Sequence, residues 1–154
     1  MMQNSNASRA TQAYRNASVA VPPLKALVML YDGAIMFLQK SVQAAEAQRF
    51  EESHDCMMRA TAILRGLSHN IDFDRGGAMA ERLHKTYHAL IMACLRSFGR
   101  PDASLCYQRI IASLTELRDA WKFVAVAATT AAETRQVQDA AATYTAQMRD
   151  RSRP

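Results

Sequence analysis

Between Leu24 and Leu38 the chain reads LKALVMLYDGAIMFL, and twelve of these fifteen positions are apolar. At 100° per residue, Leu24, Leu27, Val28, Tyr31, Ile35 and Leu38 align as one helical stripe, while Ala26, Leu30, Gly33 and Phe37 form a second one roughly opposite. Met29 and Met36 widen the second stripe, and Lys25, Asp32 and Gln39 share a narrow polar wedge. A helix that is apolar almost all round is normally buried on every side or spans a membrane. This run is too short, at about 1.5 Å per residue, for the roughly 30 Å of a bilayer core, and it carries two charges. A second surface must cover it, supplied either by the same chain or by a partner.

The rest of the pattern is helical as well. Residues 1–21 are polar, small and aperiodic apart from Tyr14, Val19 and Val21, which predicts a flexible arm. Pro22-Pro23 suits a first helical turn, and helix one is predicted over 22–47. A second helix starts near Phe50, with Glu51, Glu52 and Asp55 at its amino end, and carries the stripe Met57, Ala60, Ile63, Leu64, Leu67 and Ile71. The segment Asp72-Phe73-Asp74-Arg75-Gly76-Gly77 reads as its stop, by virtue of the paired glycines Gly76 and Gly77. A third helix follows from Ala78, striped by Met79, Leu83, Tyr87, Leu90, Ile91, Cys94 and Phe98 and closed by Gly99-Arg100-Pro101. The fourth, with Asp102 as cap, has a seam of Ile110, Leu114, Leu117, Trp121 and Val124 spaced by four and three. Alanine dominates from Ala128 to Ala142 before a charged end. The expected architecture is all-α: an antiparallel four-helix bundle over 22–127, with a flexible arm at 1–21 and an alanine-rich helical extension at 128–154.

Composition narrows the chemistry. A length of 154 residues suits one domain, and nine glycines and prolines together against 49% apolar residues favour helices over strands. The net charge is +5, and the bases sit mostly in the second half: residues 22–74 hold five bases and seven acids, residues 75–127 eight bases and four acids. These bases are spread singly with no interleaved aromatic platform, which suits solvated helix faces better than a nucleic-acid site. Cys56, Cys94 and Cys106 are odd in number and lack CxxC spacing, as expected of reduced thiols in a cytosolic protein. The amino terminus has no apolar core for a secretory signal.

His84 and His88 lie one turn apart, but no glutamate follows His84 as in HExxH and no third ligand is evident, so no metal is expected. Asp72 and Asp74 lack EF-hand offsets and read as helix capping. No catalytic constellation or nucleotide-binding glycine motif is present, so neither an enzyme nor a cofactor is expected. The unabsorbed features are the second stripe of helix one and the methionines. Flexible thioethers suit a surface that accommodates a partner helix as well as they suit a core. Gly33 costs about 1 kcal/mol relative to alanine in mid-helix, which points to close approach by another segment, from this chain or a guest.

Tyr14, a spacer to Pro22, the run Leu30-Tyr31-Asp32-Gly33-Ala34-Ile35 with Phe37-Leu38, Gly76-Gly77 after Asp72, Leu83 with Tyr87, and Ala120-Trp121 resemble, in that order, the flagellar secretion chaperones of the FliS family. The likeness runs from Tyr14 to about Val124; the segment Ala78-Met79-Ala80-Glu81 and the alanine-rich tail depart from the family pattern. The resemblance implies a helical bundle in the bacterial cytosol that binds the carboxy-terminal region of flagellin and delivers it to the export machinery, with an export-gate component or co-chaperone as further partners. The expected partner-binding residues are Met29, Leu30, Gly33, Met36 and Phe37, with Tyr14 as a lid anchor whose plain alternative is a disordered tail. Tyr31, Asp32, Gly76, Gly77, Tyr87 and Trp121 are expected in structural roles, with Asp32 orienting a hydroxyl or a helix end. The expected state is a monomer or weak homodimer without membrane insertion. A homodimeric helical adaptor and a basic nucleic-acid-binding module stand as rival readings.

Overall fold

The computed structural model describes residues 23–151. Helix α1 spans Pro23–Glu46, α2 Phe50–His69, α3 Phe73–Ser97 and α4 Ala103–Arg151, with no strand among the described residues. Each helix packs on the next, and α4 returns to α1, so the four enclose a square whose diagonal pairs make no close backbone approach. The result is an all-α four-helix bundle. Its core is filled by Tyr31, Leu38, Met57, Leu64, Tyr87, Tyr107 and Leu114, all but inaccessible to solvent. Tyr107, one turn before the Ile110–Leu114 seam, extends that seam and is as deeply buried as any residue in it.

Small side chains let α1 and α2 lie close. Ser41 and Ser53 are both buried and exchange hydrogen bonds: Ser41 Oγ donates to the Ser53 carbonyl at 2.8 Å, and Ser53 Oγ donates to the Ser41 carbonyl at 2.9 Å. Reciprocal bonding satisfies two hydroxyls that would otherwise be costly to desolvate. The α1–α2 turn is closed by Gln48, whose φ of 58° puts a non-glycine residue in the left-handed region. Gln48 N–H bonds the Ala45 carbonyl at 3.0 Å and Arg49 N–H the Ala44 carbonyl at 2.8 Å, the paired pattern that seals a helix carboxy end.

Three boundaries differ from the sequence reading. Helix α2 ends at His69, where Asn70 donates from both its backbone N–H and its side chain to the Gly66 carbonyl, so Ile71 reaches the core from the turn and not from the helix. Asp72 caps a further helical turn, its carboxylate accepting from Arg75 N–H at 3.0 Å. Gly76 and Gly77 therefore lie inside α3, with Gly77 (φ 51°, ψ −128°) as a non-helical break between that turn and the main helix. The capping carboxylate restarts the helix before the glycines can act as a terminator. In α4 the seam ends at Trp121, since Val124 is 44% exposed. The alanine-rich stretch continues α4 without interruption to Arg151, and every residue from Val126 to Arg151 is exposed.

Among the described residues, the Tyr107 hydroxyl is the buried side-chain polar atom without a hydrogen-bond partner. Burial leaves its desolvation uncompensated, and pushes its ionisation up to about 12. Tyr107→Phe keeps the ring and removes the orphan, so it should raise the unfolding free energy by about 1 kcal/mol in urea titration. A clear loss of stability would refute the assignment.

Candidate partner-binding site

Helix α1 has two different faces. Val28, Tyr31, Ala34, Ile35, Leu38 and Val42 point into the bundle and are buried. On its outer side Met29 is 60% exposed, Leu30 46% and Met36 42%, while Gly33 and Phe37 are half-buried along the α2 edge. A Cβ on Gly33 would lie 3.4 Å from Ile63 Cδ1, so the close approach inferred for Gly33 comes from α2 of the same chain. Phe37 packs on the margin of the core, and its ring is flanked by Lys40 Nζ at 5.9 Å and Arg59 Cζ at 5.7 Å. The outer face is therefore an apolar strip with two exposed cations at its Phe37 end.

The inner face is anchored by polar contacts. The Tyr31 and Tyr87 hydroxyls hydrogen-bond each other in the core, with ring centroids 6.2 Å apart. Trp121, half-buried on α4, packs on the core, where it lies beside Tyr31 and favours its ionised form. Burial dominates nonetheless and holds both tyrosines above their ordinary range. Asp32 does not orient a hydroxyl or a helix end: its Oδ1 accepts from Arg118 Nη1 on α4 at 3.0 Å. Arg118 also binds Asp119 at 3.2 Å, and the two carboxylates raise the pKa of its guanidinium. Arg118 reads in the sequence as one of several solvated bases, and no local spacing marks its partner 86 residues away.

Other candidates take up structural positions. His84 Nδ1 lies 2.9 Å from Ser68 Oγ, and its ring meets Phe73 edge-on at 5.6 Å, a contact that joins the α3 amino end to α2. No group of three or more metal-ligating side chains is assembled among the described residues, and none of their helices is long and apolar enough to cross a membrane. Tyr14 lies outside the described residues. Ser41, Ser53, Tyr107 and the Lys40–Arg59 pair were not singled out from sequence; only Tyr107 had a legible signal, in its spacing from Ile110.

The sequence model of a family described as flagellar protein FliS matches residues 6–128. A flagellar secretion chaperone, FliSB of Pseudomonas aeruginosa, is 25% identical over 120 residues, an alignment that covers 75% of this chain and 94% of the relative.

The core tyrosines and Cys94 give the bundle an alkaline limit. Unfolded, Cys94 would titrate near 9.0 and tyrosines near 10.0; in the fold, burial pushes Cys94 up to about 12 and raises Tyr31, Tyr87 and Tyr107 as well. Raised acid pKa values mean that the unfolded chain loses protons first, so this stabilisation is complete below about pH 9 and is lost as the pH climbs toward 12. Urea midpoints should be level from pH 7 to about pH 9 and fall steadily above it, and Tyr31→Phe with Tyr87→Phe should flatten the fall.

Proposed function

The chain belongs to the FliS family of flagellar proteins, and we propose that it is a cytosolic export chaperone that holds the carboxy-terminal region of flagellin on the outer face of α1. The supporting observation is that strip itself. A helix that fills the core with one face carries Met29, Leu30 and Met36 toward solvent on the other, next to the half-buried Gly33 and Phe37. An amphipathic guest helix laid along it would cover apolar surface worth about 1.5–3 kcal/mol for each large side chain fully buried, less for these because each is already partly covered.

Mechanistically the role is binding and release, with no covalent step and no cofactor. A segment that orders only on binding loses conformational entropy at that moment, which moderates its affinity and lets it leave for the export apparatus. Thioethers at Met29 and Met36 adapt to a guest surface without a fixed rotamer. Lys40 and Arg59 favour guests with acidic residues beside their apolar stripe, and steer them toward the Phe37 end. While the guest's stripe is covered it is unavailable for filament contacts, so polymerisation is blocked. An export-gate component or a co-chaperone would engage another face of the same complex.

Titration calorimetry of the full chain with a carboxy-terminal flagellin fragment from the same organism should give a 1:1 complex and a negative heat-capacity change. Leu30→Glu and Met36→Glu should each weaken binding at least tenfold, about 1.4 kcal/mol, with helical content unchanged by circular dichroism. Unaltered affinity in both variants would remove α1 from the interface.

A further inference from the structure

From Phe123 to Met148, helix α4 repeats every seven residues on the side facing away from the bundle seam. Phe123, Thr130, Val137 and Tyr144 occupy one heptad position, and Ala127, Thr134, Ala141 and Met148 the position four residues later. At 100° per residue these eight lie on one face, roughly opposite Trp121 and the Ile110–Leu114 seam. None of the eight is charged, and among the positions flanking them only Glu133 is. The face is open: Phe123 is 77% exposed, Val137 69% and Tyr144 63%.

We propose that this face pairs with the same face of a second copy of the chain, as an antiparallel two-helix coil centred between Arg135 and Gln136. The occupant follows from the sequence of the face. In that register Phe123 meets the second copy's Met148, Ala127 its Tyr144, Thr130 its Ala141 and Thr134 its Val137, so the bulky Tyr144 and Val137 are set opposite smaller residues. A parallel pairing would stack Tyr144 on Tyr144 and Ala127 on Ala127, giving crowding in one layer and a void in another. Two-fold symmetry closes the antiparallel contact on itself.

The threonines support a dry seam. Thr130 Oγ1 donates to the Val126 carbonyl at 3.0 Å and Thr134 Oγ1 to the Thr130 carbonyl at 2.9 Å, so both hydroxyls are satisfied within the helix and leave their methyl groups to pack. The contact would run about 38 Å at 1.5 Å per residue and set the two bundles at opposite ends. That separation limits repulsion between two chains of net charge +5. Six of the eight face residues lie beyond residue 128, where the family match ends, so the pairing belongs mainly to this chain's own extension and is independent of the α1 reading.

Sedimentation equilibrium of the full chain, from roughly one to several hundred micromolar, should show a monomer passing to a dimer. Val137→Asp and Tyr144→Asp should each weaken it at least tenfold with helical content retained, while Gln136→Asp, off the pairing face, should leave it unchanged. Under mild oxidation, Ala127→Cys chains mixed with Tyr144→Cys chains should form a mixed disulfide dimer beyond that of the native chain, and Ala127→Cys alone should not. A monomer at every concentration would overturn the proposal. So would a dimer broken by Met36→Asp but not by Val137→Asp, or disulfides forming only between like variants.

Discussion

Two tyrosine hydroxyls meeting in the centre of the bundle determine how the rest of it is arranged. Helices α1 and α3 stand on a diagonal of the square, too far apart for their backbones to touch, and Tyr31 and Tyr87 bridge the gap with long aromatic side chains. The two hydroxyls bond each other, with Trp121 of α4 beside Tyr31, so rotation of either helix would break that buried contact at a cost of about 1–3 kcal/mol. A purely aliphatic core tolerates small rotations of its helices; this pair does not. The rotation of α1 is thereby set, and with it the identity of the residues that must face outward.

That rotation explains how one helix fills the core with one face and leaves apolar residues uncovered on the other. The residues between Leu24 and Leu38 hold more apolar surface than three neighbours can cover, and the tyrosine bridge, with the Asp32–Arg118 pair on the α4 side, chooses which part stays uncovered. Ile63 of α2 fills the dent at Gly33, which seats the helix firmly on that edge. The outer strip is therefore presented by a helix that is already packed along its whole inner face. Among the described residues, positive-φ backbone occurs at Gln48, Gly77 and Gly99, all away from the strip.

Helix number, approximate limits and the core stripe of α1 were legible because period-3.6 patterning reports directly on burial. The second stripe was legible for the same reason, although periodicity alone could not separate the exposed Met29 and Met36 from Gly33 and Phe37, which lean on α2. What escaped were interactions whose partners are distant in sequence. Arg118 finds Asp32 across 86 positions, and the Ser41–Ser53 exchange joins two small polar residues that look like ordinary helix surface. The α2–α3 boundary was misplaced because a capping aspartate and paired glycines give opposing signals within six residues, and the cap prevailed locally. In α4 the heptad spacing extended to Val124, but helical neighbours to bury it did not.

Helix α4 is one unbroken rod whose root is clamped to α1 through Arg118 and whose tip is Arg151. The distance from clamp to tip is about 50 Å at 1.5 Å per residue, so a tilt of about 5° at the root sweeps the tip through about 4 Å. A small change of tilt where α4 leaves the bundle is thus magnified at its far end, in the manner of a pointer on a balance.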